Sequence, residues 1–166
     1  MKKVESIFAL FVLFLMFSFA DNNRVPKTGL LVGEKAPEFQ MSDSTAGTFD
    51  LKKQKGKYVV LNFWASYDAP SRISNVRFRQ EIKKMNHQDL SFVSVSYDPN
   101  AVVFEETVKL DELDRNTQFY DKDGDASSIY KAFRLKKGFG NYLLDQNGVI
   151  IAKNFSPEKL TELIGQ

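Results

Sequence analysis

The sequence predicts one mixed α/β sandwich, a central sheet covered by helices on both sides and closed by a C-terminal β-hairpin plus helix. Three observations carry that expectation. Apolar runs of strand length alternate with segments of helical period. The run Lys57-Tyr-Val-Val-Leu-Asn-Phe-Trp64 is almost continuously apolar, as in a strand buried on both faces. Asp145-Gln-Asn-Gly148 separates two short apolar runs, and an Asn-Gly pair so placed is a strong hairpin signal. The alternation implies right-handed crossovers between parallel strands, and the hairpin adds an antiparallel edge.

The elements follow in order. Lys2 and Lys3 precede an apolar run from Ile7 to Phe19, with small Ser18 and Ala20 before Asp21. Residues 1–20 therefore read as a signal peptide or, if uncleaved, as a short membrane anchor. Residues 21–35 are polar and turn-rich, a leader into a domain spanning residues 36–166. Lys57 to Trp64 is the first strand. Pro70 to about His87 is a helix with Phe78, Ile82 and Met85 along one face. Leu90 to Tyr97 alternates as a strand, Asp98-Pro99-Asn100 turns, and Ala101 to about Leu113 is a second helix. Thr117 to Tyr120 is a short strand, and Asp125 is placed to cap a helix over Ala126 to Phe133. After the hairpin, Ser156-Pro157-Glu158 supplies a cap, a proline at the first helical position and an acid in the first turn. Leu160, Leu163 and Ile164 form the stripe of a closing helix.

Composition narrows the function. Without residues 1–20, which hold two Lys and one Glu, the chain carries 21 basic and 20 acidic residues. That balance does not favour a nucleic-acid partner. The 166 residues include 15 Phe and no Cys, so a packed core, not a disulfide framework, must hold the fold. A lipid anchor built on a cysteine is excluded.

The segment LNFWASYDAPSR, residues 61–72, resembles LNFWATWCAPCR of the thioredoxin-fold thiol–disulfide oxidoreductases of the bacterial envelope, the TlpA/ResA-like, AhpC/TSA-related group. Gly33-Glu-Lys-Ala-Pro-Glu-Phe39, Lys55-Gly56-Lys57 and Leu143-Leu144-Asp145 followed by Gly148 extend the likeness over about residues 30–166. The resemblance implies a thioredoxin-like fold and, in name, an oxidoreductase of the cytochrome c maturation type. It also implies that the two family cysteines fall on Asp68 and Ser71, and the family's cis-proline on Phe139.

Disulfide exchange needs one thiolate to attack and a second thiol to resolve. Peroxiredoxin chemistry passes through a sulfenic acid. A chain without cysteine performs neither. Asp68 instead places a carboxylate at a helix N-terminus, where it also serves as an N-cap worth about 1 kcal/mol over Ala. Ser71 is nearly isosteric with cysteine. A hydrolytic Asp68–Ser71 pair would need a base within hydrogen-bond reach. The chain's one histidine, His87, lies about 20–25 Å along the same helix. One His and no Cys also speak against a metal site, and no cofactor is implied.

By the resemblance, the remnant groove comprises Trp64, Tyr67, Asp68, Ser71, Arg72 and Phe139, with Phe139 either filling it or presenting an apolar knob. The flanking Gly138 and Gly140 permit unusual backbone angles, and a non-proline residue at 139 favours a trans peptide. Asp121-Lys-Asp123-Gly-Asp125 has Ala126 and Ala132 where a calcium loop needs Gly and Glu, so it reads as a turn. Arg72, Arg77, Arg79, Lys83 and Lys84 make one helix face basic, as a solvated face or a surface for an acidic partner. Asn154-Phe-Ser156 matches a glycosylation acceptor that a bacterial setting would leave unused. The expectation is an exported, periplasmic, non-catalytic module that binds an envelope protein or peptide, or assists a redox-active relative. The alternative is a decayed copy without a partner.

Overall fold

A computed structural model describes residues 26–85 and 88–165. The signal-like residues 1–20 and His87 lie outside the described residues. The strands are β1 (Gln40–Asp43), β2 (Gly47–Asp50), β3 (Tyr58–Trp64), β4 (Leu90–Ser96), β5 (Gln118–Tyr120), β6 (Asn141–Leu144) and β7 (Ile150–Lys153). The helices are α1 (Ala69–Met85), α2 (Ala101–Leu110), α3 (Ser128–Ala132) and α4 (Leu160–Ile164). A five-stranded sheet runs β5-β4-β3-β6-β7. Strand β3 is central, parallel to β4 from Tyr58↔Leu90 to Trp64↔Ser96 and antiparallel to β6. The β3–β4 and β4–β5 pairs are parallel, and the β6–β7 hairpin supplies the antiparallel edge. This is the expected thioredoxin-like order.

Alternate residues of β3 point to opposite layers. Val59, Leu61 and Phe63 join Val93, Val95, Phe119, Tyr142, Leu144 and Ile150 on one face. Phe49, Ile129, Phe133 and Leu135 cover that face, so the β1–β2 hairpin and the short α3 form this layer. The sequence assigned no element to residues 40–50. The hairpin exists because Asp43 accepts the Thr45 and Ala46 amides and Gly47 takes φ 79°, which closes the turn. On the opposite face Val60 and Leu143 pack with Phe78 and Leu160, and Trp64 packs with Phe104, Val108 and Leu113.

Three boundaries differ from the sequence expectation. Part of the 21–35 leader belongs to the folded unit, because the Gly33 amide donates to the Ile150 carbonyl (2.8 Å) and the Ile150 amide to the Glu34 carbonyl (2.9 Å). The cap of α3 is Ser127, whose hydroxyl accepts the Ile129 and Tyr130 amides, whereas Asp125 lies in a preceding 3-10 turn. Ser127 wins because its own hydroxyl is anchored on Asp121 at 2.5 Å. The Ser156 side chain bonds the Glu158 carboxylate and caps no amide, although Pro157 does open the helical turn.

The β4 alternation has a different meaning from the one its pattern suggests. Ser94 and Ser96 are fully buried beneath the helical layer. Ser94 accepts from Asn62 (3.0 Å) and donates to Asn75 of α1 (2.8 Å), and Asn75 donates to Gln118 of β5 (3.0 Å). All four side chains are almost wholly removed from solvent. A satisfied polar chain thus ties α1 to three strands of the sheet.

Candidate functional site

Strand β3 ends at Trp64, and the chain turns through Ala65–Asp68 into α1. Ser66 donates its amide to Asp98 (2.7 Å), which also accepts from the Ser96 hydroxyl (2.7 Å). The turn after β3 is thereby pinned to the end of β4. Asp68 caps α1 as its sequence position predicts: its Oδ1 accepts the Ser71 amide at 2.9 Å, and its carbonyl accepts the Arg72 amide at 3.0 Å. Ser71 is only 7 % exposed. Its hydroxyl donates to the Asp68 carbonyl (3.1 Å) and accepts the Ala65 amide (3.4 Å). Both residues at the positions where the resemblance places the family cysteines are bonded into the helix start.

The opposing wall is the Gly138–Gly140 loop. Gly138 has φ 120°, open only to glycine at low cost, and the Gly140 carbonyl accepts the Phe63 amide at 3.0 Å. Every peptide bond among the described residues is trans, including that before Phe139. The Phe139 ring stacks on Tyr97 (5.9 Å, 12°) and leans on Tyr67 (6.3 Å, 56°). It is half-buried, so it fills one side of the groove and leaves its edge to the opening. Burial holds the Tyr97 phenol well above its ordinary pKa, so the ring beneath Phe139 stays neutral.

Between these walls lies a cleft of about 350 Å³, lined by Asp68, Ser71, Ser74, Asn62, Phe139 and Asn154 among others. Asn154 escapes a sequence reading of the site. It takes φ 50°, and its carboxamide oxygen would stand 2.1 Å from a Cβ at Gly140. Asn141 holds this segment by accepting the Phe155 amide (3.0 Å) and donating to the Phe155 carbonyl (3.1 Å). The sequence signal was the run of Asn at 141 and 154 flanking the hairpin, which only the register of β6 against β7 brings together.

Of the six predicted groove residues, Asp68, Ser71 and Phe139 line this cleft, and Tyr67, 68 % exposed, flanks it through Phe139. Trp64 does not reach it. It is 0 % exposed and faces the other layer, against Phe104, because β3 residues alternate. Arg72 also points away, forming a bidentate pair with Asp111 at 2.6 Å through both nitrogens. Those bonds to Asp111 raise the Arg72 pKa further. The basic stripe on α1 is mostly neutralised within the chain: Arg77 pairs with Glu158, Arg79 with Glu112 and Lys84 with Glu81.

This strand–turn–helix arrangement and the facing loop match known proteins. Residues 32–153 match the AhpC/TSA family. The chain belongs to the AhpC/TSA family. Among curated relatives, the thiol-disulfide oxidoreductase ResA of Oceanobacillus iheyensis is 26% identical over 88% of this chain and 76% of its own length. The thioredoxin-like protein YneN of Bacillus subtilis is 28% identical over 75% of this chain and 71% of its own. A thioredoxin-like protein from Parabacteroides distasonis superposes with TM-score 0.73 at 41% identity, covering 84% of this chain and 98% of that one. A putative thiol:disulfide interchange protein DsbE from Chlorobium tepidum gives TM-score 0.69 at 25% identity, over 82% and 96% of the two chains. This family member retains the thioredoxin-like scaffold without a cysteine anywhere in its 166 residues. Thiol-based exchange and peroxidase chemistry are closed to it.

Proposed function

We propose that this chain is an exported, redox-inactive thioredoxin-like module of the cell envelope that binds a polypeptide in the cleft between Asp68 and Phe139. The observation that carries the reading is the cleft itself. Its walls are fixed by the Asp68 cap, the buried Ser71 hydroxyl and the Phe139–Tyr97 stack, yet about 350 Å³ between them stays open. The Phe139 N–H and C=O make no hydrogen bond among the described residues, leaving a backbone donor and acceptor beside the opening. Export rests on the charged, apolar and small-residue order of residues 1–20.

A photo-crosslinking residue at Ser74, inside the cleft, and another at Lys109, on α2, test the reading in the native organism. A discrete adduct from position 74, absent from position 109 and lost with Phe139→Ala, supports it. Identical adduct patterns from both positions, or none from position 74, refute it. Amino-terminal sequencing of the chain from an envelope fraction, beginning at Asp21, checks the export step.

A further inference from the structure

A second and larger concavity, of about 650 Å³, borders the same loop. Gly138, Phe139, Gly140 and Asn154 line both, so the two meet at Phe139. The larger one is walled by the N-terminal segment, the chain after α3 and the end of β7. Its surface carries Lys27, Arg134, Lys137 and Lys153 against a single acid, Glu34. The Glu34 carboxylate is engaged locally, accepting the Leu31 amide at 2.9 Å.

Among the described residues, none of those four cations pairs with a carboxylate. The arginines of α1 and Arg115, by contrast, all have acidic partners. The Lys153 ammonium rests on neutral groups only, the Leu30 carbonyl at 3.4 Å and the Tyr142 ring at 5.4 Å. Arg134 holds φ 55°, a left-handed angle that glycine would adopt without strain, yet a cation stands there. Its charge reaches the floor: burial raises the Tyr142 phenol pKa, and Arg134 draws it back.

Unpaired cations of this kind raise the local concentration of an anionic ligand and orient it. A compact anion would need donors converging on one point. Here the cations come from three chain segments and stand apart around the concavity, whose apolar part is Leu30 and the largely buried Phe133 and Tyr142. Charges spaced in this way suit an extended chain that carries several carboxylates. We infer that the polypeptide bound beside Phe139 is acidic, its carboxylates lying along Lys27, Arg134, Lys137 and Lys153. This rests on the cleft being a polypeptide site at all.

The test is selection of a random-sequence peptide display library on the protein, followed by anisotropy titration of a fluorescein-labelled Glu/Leu peptide. Enriched peptides are expected to be net acidic. The labelled peptide is expected to bind on the order of tenfold more weakly to Arg134→Glu/Lys137→Glu, to lose affinity with added salt, and to be indifferent to Lys109→Glu. Enriched peptides without an acidic bias that still depend on Phe139 overturn the inference and leave the cleft reading standing. Acidic peptides whose binding ignores the Arg134/Lys137 reversal overturn the inference too. If no peptide is enriched, both fall.

Discussion

Replacing Asn75 by leucine tests the polar chain that seats α1, and with it the helix start that carries Asp68 and Ser71. Asn75 is 0 % exposed, accepts from Ser94 at 2.8 Å and donates to Gln118 at 3.0 Å. Leucine has the same branched shape and the same number of side-chain heavy atoms, so it leaves no cavity, although its methyl groups are bulkier than the carboxamide and add some crowding to the loss. Two buried hydrogen bonds disappear, each worth about 1 kcal/mol. The Ser94 hydroxyl then loses its acceptor and the Gln118 carbonyl its donor, and a stranded buried group costs about 1–3 kcal/mol. Allowing for the apolar surface that leucine buries, the expected loss is about 3–4 kcal/mol, a large part of a domain's roughly 5–15 kcal/mol. Urea unfolding reports it through the emission of Trp64, the chain's one tryptophan, which is fully buried in the folded state. Adding Gln118→Leu should recover part of the loss, because an apolar pair strands fewer groups than a half-removed one. A loss below about 1 kcal/mol for Asn75→Leu, or strict additivity in the double variant, would refute the reasoning.

Four further outcomes follow from the geometry. Asp68→Ala should lower stability by about 1 kcal/mol through the lost Ser71 amide bond, while Asp68→Asn keeps most of it; thermal unfolding distinguishes them. Gly140→Ala places a Cβ against the Asn154 carboxamide oxygen, so the Asn154 side chain should turn away at little cost in loop stability; amide exchange over residues 138–141 close to that of the parent chain checks it. Asp68→Cys/Ser71→Cys should yield an intrachain disulfide under mild oxidation, seen as two thiols that become unreactive to a thiol reagent, whereas the parent chain has no reactive thiol in any condition. Acid stability should depend on Asp43. Burial opposes its ionisation, but Arg115 at 3.0 Å and the Ala46 and Thr45 amides outweigh that and hold its carboxyl below the ordinary range. A carboxyl lowered on folding contributes above its unfolded value of about 3.9, and that contribution is lost as pH falls through the lower folded value. Urea midpoints should therefore drop below about pH 4, and Asp43→Asn should flatten that part of the profile.

The candidate site was legible where local chemistry decides it. A carboxylate at position 68 caps the helix because the cap needs only its own residue and the amide three residues on, both adjacent in sequence. The absence of thiols needed no structure. Phe139 was located only through the resemblance, at the place of the family's cis-proline, and its stack on Tyr97 joins residues 42 positions apart, which no periodicity encodes. Trp64 was misplaced for a similar reason: a strand buried on both faces has no wet side in its pattern, so the layer each residue enters stays hidden.

The sequence by itself determined the element order from β3 onward, the parallel core with its antiparallel edge, and the loss of thiol chemistry, because these depend on local pattern and on composition. Tertiary structure alone decided three things. It buried Ser94 under α1, turned Arg72 away to Asp111, and brought Arg134, Lys137 and Lys153 together with Lys27 beside Phe139. Each depends on strand register and layer assignment, which are set by burial summed over the whole sheet, so no short window of residues contains them.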